Sequence, residues 1–187
     1  MFKRFLSRLA GRLGKNRGTA AVEFALIAPI MIAIYMGVVE LTALLLVDRK
    51  MIAATETVAD LVSQESVISP TEVDDVIAAA QRIFDPYSTT TLTVNISSIR
   101  FNTNTGAAEI EWQRVLGNSN AGSSILTQAA GMGLPGEGVV IAYLTYSYTP
   151  MFGTMITGSV NLEEMSFLRP RLSPVVKCTT TSASCSS

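Results

Sequence analysis

From Thr19 to Val47 the chain reads "TAAVEFALIAPIMIAIYMGVVELTALLLV", 29 residues in which only Glu23 and Glu40 carry charge. As a helix this run is about 43 Å long at ~1.5 Å per residue, against a hydrocarbon core of roughly 30 Å. Core helices of soluble proteins rarely pass ~25 residues without polar interruption. The run is therefore expected to span a membrane once, with one end protruding. That expectation sets the plan of all 187 residues: an anchor plus one ordinary domain.

Charge orients the anchor. Residues 1–18 hold Lys3, Arg4, Arg8, Arg12, Lys15 and Arg17 and no acid. The other eight cations face 15 acids, so the remainder carries a net charge of −7. Positive residues stay on the cytoplasmic side of a first membrane helix, which puts the N-terminus inside and everything after about Asp48 outside. An acidic outer part argues against nucleic acid as a partner, because such binding needs a basic surface. Within the leader, Phe2, Phe5, Leu6, Leu9 and Leu13 follow helical spacing between the basic residues, a pattern suited to lying on anionic lipid. A mitochondrial transit peptide looks similar but is not followed directly by a long span. The apolar region of a cleaved secretory signal, ~7–15 residues, is shorter than this one.

The outer part reads as α+β: a long N-terminal transmembrane helix, then a second amphipathic helix packed on a small antiparallel sheet. The expected divisions are a basic leader at 1–18, the span at 19–47, a helical extension at 48–66, an outer domain at 67–177 and a Ser/Thr-rich tail at 178–187. In the extension Met51, Thr55, Val58 and Val62 recur every three to four residues, a stripe that should face the domain. "SPTE", Ser69 to Glu72, starts the second helix: Ser69 caps it, Pro70 suits the first position and Glu72 completes a capping box. Val73, Val76, Ile77, Ala80, Ile83 and Phe84 form its apolar face, and Asp85-Pro86 ends it. Period two follows in Leu92, Val94 and Ile96, with a shift of phase to Ile99 and Phe101 that suggests a bulge. "NTNTG" (Asn102 to Gly106) reads as a turn into Ala108, Ile110 and Trp112, a hairpin. Gly117 to Gly138 reads as a long loop with a short helix around Ile125 to Ala130. Val139 to Pro150 and Val160 to Leu168 complete about four strands.

The chain has no histidine. That excludes Ser-His-Asp and Cys-His chemistry and any metal site with histidine ligands. No strong Asp, Glu or Ser constellation replaces them, so neither an enzyme nor a cofactor or metal site is expected. The two cysteines, Cys178 and Cys185, lie seven positions apart. In a reducing compartment they are idle thiols or a weak metal clip; in an oxidising one they close a small loop. The outward topology favours a disulfide that ties down the tail.

Glu23 is the residue that a plain anchor does not need. A carboxylate at the centre of a membrane helix costs roughly 2.5–3.5 kcal/mol and calls for a partner. Near the cytoplasmic end the cost is lower, and Lys15 or Arg17 is within reach in sequence. The string "RGTAAVEF", Arg17 to Phe24, adds a pattern: a glycine closes a basic leader, an acid follows five positions later, then Phe24 and an apolar run. This resembles the prepilin peptidase site of type IV-pilin-like proteins. The resemblance implies a cut between Gly18 and Thr19 on the cytoplasmic face, with Glu23 as the fifth residue of the mature chain. The new α-amine at Thr19, with a reference pKa of ~7.7–8.0, would be mostly protonated at neutral pH. It would pair with Glu23 of a neighbouring copy, each charge offsetting part of the other's cost in low dielectric.

"AAVEFAL", Pro29, "GVVEL" (Gly37 to Leu41) and the Ala/Thr-rich continuation narrow the resemblance to the TadE-like family, pilin-like proteins of the tight-adherence (Flp) pilus system. The later "LTYSYTPMF" (Leu144 to Phe152) and "FLRPR" (Phe167 to Arg171) look like that family's outer strand and tail. The strong part covers about 45 residues. The family implies a minor pilin or pseudopilin in the bacterial inner membrane. Its implied partners are the prepilin peptidase, other pilins, the assembly platform and membrane lipid. The competing class is an unprocessed single-pass anchor whose outer domain holds a partner. Three other features carry plain readings. Pro29 is a tolerated kink. Glu40 is an interfacial carboxylate. Tyr146 and Tyr148 share one strand face, with Tyr143 on the other, as half-buried sheet packing. Glu163 and Glu164, adjacent on a strand, point apart and are not a catalytic pair.

Overall fold

A computed structural model describes residues 17–117, 122–151, 158–179 and 185. The apolar run and its extension form one helix, α1 (Arg17–Ser63), 47 residues long and unbroken through Pro29. Its two parts have different surroundings. Up to Val39 its large side chains stand open, Phe24 73%, Ile30 63% and Tyr35 65% exposed among them. From Val47 onward one face is buried: Val47, Met51, Ala54, Thr55, Val58, Ala59 and Val62 are all at 1% or less. The stripe predicted in the extension is this face. The helix stops at Ser63, a turn short of the expected Ser66, and Gln64 and Glu65 close it with backbone bonds to Asp60, Leu61 and Val62.

After a two-residue strand, β1 (Val67–Ile68), comes α2 (Pro70–Ile83). Its start is the capping box expected from "SPTE". The Ser69 hydroxyl accepts from the Glu72 amide at 3.3 Å, and the Ser69 amide donates to the Glu72 carboxylate at 2.7 Å. Val73, Ile77, Ala80 and Phe84 are buried, and Val76 and Ile83 pack at the margin. Lys50 of α1 reaches across to the other end of α2, donating to the carbonyls of Ile83 and Asp85 at 2.7 Å each. A cation there meets the negative end of the helix and satisfies a carbonyl that has no partner within it.

The sheet consists of β2 (Thr93–Phe101), β3 (Ala108–Leu116), β4 (Gly138–Tyr148) and β5 (Val160–Leu168), antiparallel throughout in the order β3-β2-β4-β5. A short helix, α3 (Gly122–Ala129), lies between β3 and β4, beginning earlier than the expected Ile125. α1 packs across β4 and β5 and against α2. Arg114 of β3 holds Asp74 of α2 at 2.9 Å. This face carries the main core: Leu92, Val94, Ile96, Trp112, Val140, Ala142, Leu144, Tyr146 and Tyr148.

The expected bulge is present between Ser98 and Ile99, but it does not by itself account for the change of apolar phase. β2 keeps strict alternation, so Ile99 and Phe101 lie on the face opposite Val94 and Ile96, where they form a second core with Ile125 and Ala129 of α3. The irregularity falls on the partner strand: Ser98 pairs with Trp112 and Ile99 with Ile110, leaving Glu111 as the extra residue. The sheet is thus covered by α1 and α2 on one face, and on the other face at one end by α3.

The tail returns to the body. Arg171 pairs with Asp60 of α1, and its amide donates to Ser63. A second short strand, β6 (Lys177–Cys178), runs parallel to β1, pairing Val67 with Lys177 and Ile68 with Cys178. The Val176 carbonyl, just before it, accepts from the Trp112 indole at 2.9 Å and the Ser98 hydroxyl at 2.8 Å. Cys178 and Cys185 are joined as a disulfide.

Candidate functional site

The part of the molecule that its own fold leaves unsatisfied is the first half of α1. Leu26, Ile27, Met31, Ile32, Ile34, Val38 and Leu41 are each more than half exposed, and they point in every direction around the helix. Only 6% of the most apolar window, of mean hydropathy 2.4, is buried against the rest of the chain. A helix apolar all round and buried by nothing of its own needs lipid or other helices. Within this chain the segment is therefore not a core helix, and its length and composition suit membrane anchoring.

Gly18 and Thr19 stand in the first turn of α1, and Glu23 and Phe24 one turn later. Glu23 is exposed, as is Phe24 beside it. A Cβ placed on Gly18 would meet nothing within 4 Å. Its φ is not in the left-handed region either, so neither packing nor backbone conformation within this chain requires glycine there. The side chains of residues 1–17, and with them the basic leader, lie outside the description. The four residues that sequence singled out are therefore gathered on one exposed helical segment. Among the described residues, Glu23 makes no bond to the domain.

Glu40 is different, because it has partners within the chain that the interfacial reading did not name. Its carboxylate accepts from the Tyr148 hydroxyl at 2.6 Å and from the Met151 amide at 3.1 Å to each oxygen. The end of β4 is thereby fastened to α1 two turns before the core begins at Val47. Burial, and next the donation to Glu40, push the Tyr148 hydroxyl up to about 12. The only sequence signal for this contact was a second carboxylate in an otherwise apolar run; its partner lies 108 positions away. The strand faces were read correctly: Tyr146 and Tyr148 are buried in the main core, while Tyr143, on the opposite face, donates to Glu163 at 3.0 Å. Among the described residues no three His, Cys, Asp or Glu side chains gather as a metal site. The surface grooves are shallow, one lined by Asp74, Ile77, Gln81 and Arg114 and another by Glu56, Asp60 and Ser166.

No curated protein and no solved structure is significantly similar to the chain. A family model does match, and it falls on the exposed helix and its extension. Residues 18–60, nearly the whole of α1 but 43 of the 187 residues of the chain, match the family model described as TadE-like protein.

Proposed function

We propose that this protein is a minor pilin or pseudopilin that takes part in assembling a tight-adherence (Flp, type IVb-like) pilus, working by association and not by catalysis. One coincidence carries the reading. The TadE-like match covers the helix whose first half is exposed all round, and that half bears Glu23 five positions after Gly18. In this reading the chain crosses the bacterial inner membrane once, leader inside and domain outside, as the basic leader favours. A prepilin peptidase cuts between Gly18 and Thr19. The ammonium on Thr19 of one subunit then pairs with Glu23 of the next, and Phe24 and the apolar surface beyond it pack against neighbouring pilins and the assembly platform. The pair sets the register between helices, because a shift along the axis leaves both charges without partners in a medium where each is costly.

The intact mass of the protein from cells that are building pili tests processing. A product beginning at Thr19 is expected. A mature chain still beginning at Met1 overturns the reading and leaves an unprocessed membrane-anchored interaction module. Glu23→Gln and Glu23→Ala test assembly, with cleavage and pilus formation scored separately. Normal pili with either variant would show that Glu23 does not set register.

A further inference from the structure

The lower edge of the domain, where it meets α1 at Glu40, has a composition of its own. Tyr148 and Tyr146 are buried to 8% and 7% exposure, with Tyr87 packed beside them. The Tyr146 hydroxyl donates to the Ser88 carbonyl, and the Tyr148 hydroxyl to Glu40. Met151 follows at 79% exposure, its amide on the same Glu40. The open apolar surface of α1 starts at Val22 and continues past Glu40 at Leu41, Leu45 and Leu46; beyond it Arg49 is exposed, while Lys50 is bonded to the end of α2. Met151 and the partly buried Tyr87 are the groups this edge offers outward, with the open apolar helix on one side and exposed Arg49 on the other, an order found at a membrane–water boundary.

Distance supports this placement. From Gly18 to Val39 the helix is about 33 Å long, close to the ~30 Å of a hydrocarbon core. Were the hydrocarbon to reach Val47, about 10 Å further, the Glu40 carboxylate and the end of β4 would be immersed in it. Met151 is held at Glu40 by its amide, next to the open apolar part of the helix, so lipid is the occupant proposed for both.

We propose that this edge, with Tyr87 and Met151 outermost, rests in the lipid headgroup layer, and that Glu40 latches it there by holding Tyr148 and the end of β4 to α1. The domain then stands on the bilayer in one orientation instead of swinging on its helix. Neither statement depends on whether the leader is removed.

Spin labels on the full chain in phosphatidylcholine nanodiscs test this. Because Cys178 and Cys185 are bonded to each other, Met151→Cys supplies a single labelling site. Leu134→Cys, 67% exposed beyond the far end of β4 and at least about 33 Å away along the strand, is the control. The expected result is a label at 151 relaxed by oxygen and shielded from a water-soluble nickel chelate, with the reverse at 134. Equal access of nickel to both positions overturns the lipid contact. Shielding at 151 that appears only with several copies per disc also overturns it, in favour of a second copy as occupant. Adding Glu40→Ala to Met151→Cys should abolish the shielding while circular dichroism keeps its sheet signal. Shielding that survives this change overturns the latch.

Discussion

Tyr148 shows how one hydroxyl can couple a membrane helix to a folded domain. Its pKa is raised above the ordinary tyrosine value by burial and by the hydrogen bond to Glu40. A group whose folded pKa is raised binds its proton more tightly in the native state. Its stabilisation is complete below about 10 and is lost as pH rises toward about 12. The unfolding midpoint in detergent should therefore fall between pH 10 and 12. Tyr148→Phe should flatten that fall without abolishing it, because Tyr146 and Tyr143 are also shifted upward, chiefly by burial. An unchanged slope in the variant would place the alkaline limb elsewhere. Glu72 has the opposite sign. Its bonds to the Ser69 backbone and hydroxyl lower its pKa, so its contribution is present above the usual carboxylate range and is lost as the medium is acidified. Glu72→Gln should make the acid limb of a pH–stability curve shallower.

At the scale of elements, stability is concentrated where local sequence and tertiary packing agree. Ser69→Ala removes the cap of α2 and should lower stability by about 1 kcal/mol in denaturant titration. Met51→Ala, in the middle of the buried stripe of α1, should cost roughly 2–5 kcal/mol. Ile34→Ala, on the same helix but 60% exposed, should leave the unfolding of the domain unchanged. The features behind these differences were legible in advance because they are local. A period of 3.6 marked Met51 to Val62, a four-residue signature marked the start of α2, alternation marked β2 and β3, and β-branched and aromatic content marked β4. What the sequence hid was non-local. Two-residue strands such as β1 and β6 have no period to detect, and their pairing joins residues about 110 positions apart. The switch of apolar face at Ile99 imitated a slip of the strand, because the second core needs α3, whose eight residues give only a faint pattern. At the candidate site, Gly18, Thr19, Glu23 and Phe24 could be read from spacing within one helix. The link from Glu40 to Tyr148 could not, since no local rule specifies which acid a distant tyrosine will meet.

The whole molecule divides at Glu40 into a rod with an open surface and a domain that owns the rest of the helix. Because the buried face of α1 starts at Val47, a fragment from Glu40 onward should fold without lipid, remain soluble and unfold cooperatively. A fragment from Gln64 onward lacks Met51, Val58 and Val62 and should expose the sheet and aggregate; size-exclusion chromatography with far-ultraviolet dichroism separates the two outcomes. Counting back about 20 residues from Val39 puts the opposite membrane boundary near Ala20. In that placement Gly18 and Thr19 emerge at the far surface and Glu23 lies about one turn inside it.

The bond between the Trp112 indole and the Val176 carbonyl gives the protein a built-in gauge. The chain has one tryptophan, and the C-terminal segment lies over it. Ultraviolet emission from the unlabelled protein therefore has one source. Its maximum should stay blue-shifted while Val176 and the core around Trp112 are in place and move to the red when that cover opens.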